Sequence, residues 1–244
     1  MTTKSDWFKR GCREGMPICL GYLAVSFAFG IAAEEAGLTV PQAVVMSLTN
    51  LTSAGQFSSL EVIAANGALA EMALLQLIIN LRYLLMSTAL SQKLSPKTGT
   101  LQRMGIAYGV TDEIFGLSVL QPGMLEPWYS YGLIVVSAAG WTLGTFLGAF
   151  AGQILPQILV NSLGVAIYGM FLAIVIPPAA ENRSVGLAVI LAMAVSTVFT
   201  YAPVLREISS GMRIILITVG LSAVFAKLFP REDEASPEEE GSHA

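Results

Sequence analysis

The feature that most constrains this chain is a series of long apolar segments separated by short, proline-containing gaps. A helix that spans the hydrocarbon of a bilayer needs about 20 mostly apolar residues. Only 12% of the 244 residues are charged, whereas a soluble domain carries about a quarter. The sequence therefore predicts an all-α, polytopic integral membrane helical bundle with about seven to eight transmembrane segments. We expect this multi-pass protein to lie in the lipid bilayer of the cell (inner or plasma) membrane. The segments are Met16–Ala33, Pro41–Ala65, Ala68–Leu90, Met104–Val119, Tyr129–Leu155, Ile158–Ile176, Ser184–Ala202 and Met212–Phe229.

Charged residues concentrate toward the two ends of the chain. We expect a basic cytoplasmic N-terminal segment over residues 1–15, a transmembrane transport domain over 16–229 and an acidic disordered tail over 230–244. Eight full spans would place the later basic residues outside the cell, whereas one re-entrant early segment would move them to the cytoplasm. The charge rule favours the second arrangement, and the number of full spans stays open. These later basic residues are Lys93, Lys97, Arg103, Arg206 and Arg213.

Two of the apolar segments contain polar runs. The second segment carries Asn-Leu-Thr-Ser-Ala-Gly-Gln-Phe-Ser-Ser over residues 50–59, and the short fourth segment carries Thr111-Asp112-Glu113 toward its end. Backbone groups in hydrocarbon need internal partners, so a helix breaks there only where it lines a cavity or is packed by protein. This favours a discontinuous or re-entrant second segment. The alternative is a continuous helix whose hydroxyl groups bond back to the preceding turn.

Two further patterns bear on helix packing. Residues 20–22 and 53–55 resemble residues 107–109 and 137–140 at an offset of about 85, which favours an inverted three-helix repeat. In the fifth segment glycine recurs every four residues and forms a ridge that lets another helix approach closely. We expect this ridge to pack inside the bundle, although a small membrane partner could also use it. Its members are Gly140, Gly144, Gly148 and Gly152.

Polar side chains in the third segment are candidates for function, because such groups are costly in hydrocarbon. Gln76, Asn80 and Tyr83 share one helical face by their three–four spacing, and Arg82 points away from that face. A buried arginine costs about 2.5–3.5 kcal/mol on insertion scales, which a substrate carboxylate or an intramembrane acid would offset. The sequence allows either a functional role for Arg82 or a static ion pair with an acidic residue. Its candidate acidic partners are Glu61, Glu71, Asp112 and Glu113.

Asp112 and Glu113 are adjacent carboxylates in an apolar stretch. Burial and a neighbouring carboxylate both disfavour ionisation, so either residue could hold a proton near neutral pH. This pair suits coupling to a proton gradient. The alternative is a pair at a helix end that water solvates.

Several function classes lack their sequence signatures. The chain has no nucleophile elbow, phosphate-binding glycine loop, HExxH or CxxC, so we expect no enzyme. Cys12, Cys19 and His243 are too few and too scattered for a metal site, and no cofactor is expected. No basic stripe with interleaved aromatic residues is present, so nucleic acid is not an expected partner.

Four motifs, in this order and spacing, together resemble the AzlC family of branched-chain amino acid permeases, whose members are known as azaleucine-resistance proteins. The resemblance extends from about Gly11 to Phe229. Two positions depart from the pattern: Tyr83 stands where many relatives have histidine, and Leu163–Ala166 lacks the acidic residue that many relatives carry there. The motifs are Gly15-Met16-Pro17 leading through Leu20-Gly21-Tyr22 to Phe27-Ala28-Phe29-Gly30, then Ser53-Ala54-Gly55-Gln56-Phe57, Asn80-Leu81-Arg82-Tyr83 and Thr111-Asp112-Glu113.

The resemblance implies export of branched-chain amino acids (leucine, valine and isoleucine). With the acidic pair above, this favours a secondary transporter that is coupled to protons. The resemblance further implies a two-component permease, in which this chain is the large subunit beside a small AzlD-like membrane subunit. The substrate-binding residues are then expected to be Ser53, Gly55, Gln56, Phe57, Asn80, Arg82 and Tyr83, with Asp112 and Glu113 in proton coupling.

Each part of an amino acid has a candidate partner in this set. Arg82, or the N–H groups of a broken second helix, would take the carboxylate. Gln56, Asn80 and an ionised acid would take the ammonium, and Phe27, Phe29 and Phe57 would line the pocket. The alternative is a channel-like protein or another small-solute transporter. The sequence leaves the direction of transport open, because the driving gradients decide it.

Overall fold

The computed structural model describes residues 3–156, 158, 172, 175–202 and 205–229. All named elements in these residues are helices, which confirms the predicted all-α membrane bundle. The predicted sixth segment lies almost entirely outside the described residues, as do Leu163–Ala166 and the acidic tail 230–244. The helices are α1 (Lys4–Glu35), α2 (Val40–Thr49), α3 (Ala54–Ala64), α4 (Leu69–Ile79), α5 (Leu81–Lys93), α6 (Thr100–Tyr108), α7 (Asp112–Leu120), α8 (Pro127–Ile154), α9 (Arg183–Tyr201) and α10 (Ser210–Leu228), with a 3₁₀ turn at Leu205–Glu207.

The described segments are of two kinds, long continuous helices and segments that a break divides into two short helices. By length and composition, α1, α8, α9 and α10 can each cross a membrane, and the bent pair α4–α5 would make a fifth span. The second and fourth predicted segments each consist of two short helices, α2–α3 and α6–α7. The number of full spans therefore stays a prediction.

The core of the bundle is the pair α1 and α8, which pack against each other through glycine. A side chain at Gly144 or Gly148 would collide with the backbone of Leu23 or Phe27 in α1. The ridge therefore packs inside the bundle, as predicted. Helix α1 already begins at Lys4, so most of the basic N-terminal segment belongs to this helix. Further glycines of α1 in the same interface are Gly11, Gly15 and Gly30.

The second segment is discontinuous, as predicted. Helix α2 ends at Thr49, residues 50–53 are not helical, and α3 begins at Ala54. Ser53 has φ +44°, a backbone conformation that residues other than glycine rarely adopt. The Asn50–Ser59 run thus breaks the helix within its first four residues and continues as α3.

The fourth segment is interrupted as well, at residues 109–111. The Thr111 side chain accepts a hydrogen bond from the Ile114 N–H at 3.3 Å, as an N-cap does. The two acids therefore lie at a helix end, where the alternative interpretation placed them, and their role in proton coupling stays a prediction. Thr111 caps a new helix, α7, and the two acids form its first turn.

The third segment bends by 48° between α4 and α5, which the sequence did not predict. Gln76 and Asn80 stay together, with the Asn80 Nδ2 donating to Gln76 Oε1 at 2.8 Å. Tyr83 turns with Arg82 into α5, so its predicted place on the Gln76–Asn80 face was wrong. The helical phase restarts at Asn80, which ends one helix and precedes the next.

The predicted repeat gains no support from the element order. An offset of about 85 residues would pair continuous α1 with interrupted α6–α7. It would also pair interrupted α2–α3 with continuous α8.

Candidate functional site

A cavity of about 800 Å³ lies where the two interrupted segments meet the α1–α8 pair and the start of α5. A larger groove of about 1000 Å³ between α9 and α10 has no charged side chain in its described lining, so the chemistry concentrates in the smaller cavity. The polar lining residues of that cavity are Tyr22, Ser53, Arg82, Tyr83, Thr111, Asp112, Glu113 and Trp141, and its apolar lining residues are Pro17, Ile18, Gly21, Val25, Leu51 and Ala54.

An ion pair forms part of the cavity wall. Arg82 Nη1 lies 2.8 Å from Asp112 Oδ2, and the two side chains are 47% and 46% exposed. The guanidinium also lies 5.0 Å from the centroid of the Tyr83 ring, and its Nη2 donates to the Tyr83 hydroxyl at 3.3 Å. Both members of the pair therefore keep part of their surface open to a solute.

The second acid of α7 is held by a tyrosine from α1. The Tyr22 hydroxyl oxygen lies 2.6 Å from Glu113 Oε2 and 2.7 Å from Thr111 Oγ1. The Tyr22 ring packs edge-on against Trp141, with 5.3 Å between the ring centroids. Tyr22 therefore joins the acidic end of the cavity to its aromatic wall.

Two helix N-termini begin at this cavity. Helix α3 starts next to Ser53 and α7 starts next to Thr111, and both residues belong to the lining. The first N–H groups of a helix lack intrahelical partners and carry partial positive charge. At α3 these groups share the cavity lining with Arg82 and suit an anionic group, whereas at α7 Asp112 and Glu113 already occupy the first turn.

Gln56 lies behind the cavity wall and is fully buried. Its Nε2 donates to Ser47 Oγ at 3.1 Å, and its Oε1 accepts from Trp141 Nε1 at 2.8 Å. Both ends of this amide are thus engaged by the protein itself.

Gly55 and Asn80 also lie behind the wall. The Gln76 Nε2 donates to the Gly55 carbonyl oxygen at 2.7 Å. A Cβ at Gly55 would lie 2.6 Å from Thr52 Oγ1 and 3.0 Å from Asn80 Nδ2. Glycine at this position therefore lets α3 and α4 approach each other. Phe57 packs edge-on against Phe29 at 5.3 Å between centroids, in the apolar cluster beside the cavity.

The structure thus divides the predicted site residues into two sets. Ser53, Arg82, Tyr83, Asp112 and Glu113 line the cavity, whereas Gly55, Gln56, Phe57 and Asn80 do not. Sequence reasoning missed Tyr22 and Trp141 as lining residues. The signal for both was an aromatic residue with a polar group in the middle of an apolar segment. No group of three or more metal-ligating side chains occurs in the described part of the chain.

A family model described as AzlC protein matches residues 17–155 of this chain. This range includes every lining residue of the cavity. The chain belongs to the AzlC family. Membership is consistent with a transporter, and the apolar helices make this AzlC protein a multi-pass membrane protein.

Several relatives of this AzlC protein are known as membrane proteins. An uncharacterized membrane protein of Archaeoglobus fulgidus is 29% identical over 177 residues, which is 72% of this chain and 77% of that protein. Inner membrane protein YgaZ of Escherichia coli K12 is 29% identical over 158 residues, which is 63% of this chain and 64% of YgaZ. An uncharacterized membrane protein of Helicobacter pylori is 24% identical over 149 residues, which is 60% of this chain and 64% of that protein. No solved structure matches the chain.

Proposed function

We propose that this AzlC-family protein is a secondary transporter that exports leucine, valine and isoleucine across the cell membrane and is coupled to protons. In this proposal it is the large subunit of a two-component permease with a small AzlD-like membrane subunit. The observation that carries the proposal is the half-exposed Arg82–Asp112 ion pair in the wall of a cavity with apolar sides.

The ion pair is complementary to a zwitterion. An amino acid that enters the cavity can replace both partners of the pair, with its carboxylate on Arg82 and its ammonium on Asp112. The N-terminus of α3 would add N–H groups beside the carboxylate. Ile18, Val25 and Leu51 offer apolar contacts to a branched side chain. A cavity of about 800 Å³ lies within the usual range of roughly 300–1,000 Å³ for ligand sites.

Glu113 is the candidate for the coupled proton. Asp112 already has Arg82 as its counter-ion, whereas Glu113 forms no ion pair among the described residues and contacts the neutral Tyr22 hydroxyl. Protonating Asp112 would remove the counter-ion of Arg82, whereas protonating Glu113 would break no ion pair of the described residues. We therefore assign substrate ammonium to Asp112 and the proton to Glu113.

The interrupted helices support a transport mechanism rather than a static role. Transporters commonly place their sites at breaks in helices near the middle of the membrane. Here the breaks at residues 50–53 and 109–111 both border the cavity. The closely packed helices α1 and α8 line the same cavity.

The test is efflux of labelled leucine from dipeptide-loaded cells that express this chain with its small partner. We expect efflux that a protonophore abolishes. Arg82→Ala and Asp112→Ala each remove a charge-assisted contact worth about 1.5–3 kcal/mol, and so should lower efflux roughly 10- to 100-fold. Immunoblots of isolated membranes establish equal amounts of protein.

A matched control is available at the other ion pair of the described chain. Arg10 Nε lies 2.8 Å from Glu14 Oε1, the same separation, outside the cavity lining. Arg10→Ala should therefore leave efflux close to the wild-type rate. Normal efflux in inserted Arg82→Ala and Asp112→Ala proteins would refute the assignment of the site.

A further inference from the structure

The Trp141 side chain of the cavity wall is held by a network of hydrogen bonds. Its indole N–H donates to Gln56 Oε1 at 2.8 Å, and the Gln56 Nε2 donates to Ser47 Oγ at 3.1 Å. Ser47 Oγ lies 2.7 Å from Thr145 Oγ1, which donates to the Trp141 carbonyl oxygen at 3.0 Å. This closed set of hydrogen bonds, here called the indole lock, joins α2, α3 and α8.

The indole lock is excluded from solvent. Gln56, Ser47 and Thr145 have no exposed surface, and Trp141 is 2% exposed. A buried polar group that loses its partner is destabilised strongly, so the members of such a network hold one another in place. Gln56 can reach a solute only if it gives up these partners. Its effect on a bound solute therefore acts through the indole.

The indole lies at the opposite end of Tyr22 from the acidic groups. The Tyr22 ring contacts Trp141 and its hydroxyl contacts Glu113, so one side chain spans the distance between them. The Phe29 ring also packs near the indole, with 6.5 Å between the ring centroids and an interplanar angle of 24°. A solute whose charged groups lie at the acidic end would therefore direct its side chain along Tyr22 toward the indole.

From this arrangement we propose that Trp141 determines side-chain specificity in the cavity and that Gln56 is a positioning residue that acts through Trp141. The proposal rests on the proposed transport of amino acids. It replaces the expected contact between Gln56 and the substrate ammonium. An apolar aliphatic side chain fits against the indole, whereas a larger aromatic side chain would need the space that the indole fills.

The first test measures competition by unlabelled leucine and phenylalanine against efflux of labelled leucine. Trp141→Phe keeps an aromatic ring, removes the N–H and enlarges the cavity. We expect it to reduce the preference for leucine over phenylalanine about tenfold, the order of discrimination that pocket size can provide. Gln56→Met should shift the preference in the same direction, because it removes both hydrogen bonds at similar volume.

A double-mutant cycle separates positioning from general damage. If Gln56 acts through the indole, Gln56→Met should change the preference no further once Trp141→Phe is present. Gln76→Met is the matched control, because Gln76 forms its hydrogen bonds with Gly55, Ser59 and Asn80 outside the indole lock. Additive effects of Gln56→Met and Trp141→Phe on the preference would overturn the positioning role. An unchanged preference in Trp141→Phe would overturn the specificity role.

A second readout does not depend on any substrate. The chain has three tryptophans, so Trp7→Phe and Trp128→Phe leave Trp141 as the single fluorophore. Gln56→Met in that background should shift the emission of Trp141 and raise its quenching by acrylamide, whereas Gln76→Met should do neither. Identical spectra in the two variants would overturn the positioning role. If the wild-type protein exported none of the amino acids, the proposed function and the specificity role would both fail, while the fluorescence would still decide whether Gln56 positions Trp141.

Discussion

The glycine contact between α1 and α8 makes a quantitative prediction for Gly148→Ala. A Cβ at Gly148 would collide with the carbonyl oxygen of Phe27 and lie 2.8 Å and 3.0 Å from the carbonyl carbon and Cα of that residue. These are backbone atoms, so no change of side-chain rotamer can relieve the collision. The two helices must separate instead, at the expense of the whole interface.

The size of the effect follows from a comparison with an unobstructed glycine. Inserting a methyl group into a packed core costs about 1–3 kcal/mol, and a backbone collision belongs at the upper end. Gly220 in α10 has no described atom within 4 Å of its added Cβ. Gly220→Ala should therefore stabilise the protein by about 0.5–1 kcal/mol, because alanine has the better helix propensity. Gly148 also lies inside a helix, so alanine gains the same propensity there. The two substitutions should therefore differ by the collision cost, about 3 kcal/mol, and have opposite signs.

Thermal unfolding of the purified proteins in detergent measures this difference. A chain of this size shifts its melting temperature by about 2–4 °C per kcal/mol. Gly148→Ala should therefore melt roughly 6–12 °C below Gly220→Ala. Equal melting temperatures would refute the conclusion that the α1–α8 interface is closed at backbone distance.

Two further predictions concern single side chains. Tyr22→Phe should lower protonophore-sensitive efflux roughly 10- to 100-fold, because it removes the hydroxyl contact with Glu113. Tyr131→Phe is the control, because the Tyr131 hydroxyl donates to the Gln102 carbonyl oxygen outside the cavity. The same efflux rate in the two variants would argue against a role for Tyr22. Glu71 accepts a hydrogen bond from the Met212 N–H at 3.1 Å and so caps α10. Glu71→Ala should therefore destabilise the protein by about 1–2 kcal/mol. Thermal unfolding would measure this against Glu35→Ala, and equal melting temperatures of the two variants would contradict the capping role.

The sequence predicted those features of the fold that depend on a single physical requirement. The apolar length of α8 predicted the helix to within two residues at its N-terminus and one residue at its C-terminus. The polar run after Asn50 predicted the break between α2 and α3, because unpaired backbone groups are not tolerated in lipid without a lining role. The glycine spacing in α8 predicted close packing. Each of these signals is local in the sequence.

Local sequence signals of this kind did not predict the bend at Asn80 or the contacts of Gln56. The third segment contains no proline, and its polar residues fit a continuous helix equally well. The hydrogen bonds from Gln76 to Gly55 and Ser59 of α3 are tertiary contacts that the sequence does not show. The presence of glutamine in an apolar segment indicates that it needs polar partners. It does not indicate whether that partner is a solute or Trp141, which lies 85 positions away in the chain. The structure likewise selects Asp112 from the four candidate partners of Arg82.

The interface between α1 and α8 also determines when the core of the bundle can assemble during synthesis. The last residue of α8 follows the last residue of α1 by roughly 120 positions. At a synthesis rate of about 5–20 residues per second, the first helix waits on the order of 10 s for its partner. Throughout that interval α8 is not yet complete and cannot cover the glycine face of α1. The central pair of the finished bundle is therefore assembled late, after the two interrupted segments that border the cavity have already entered the membrane.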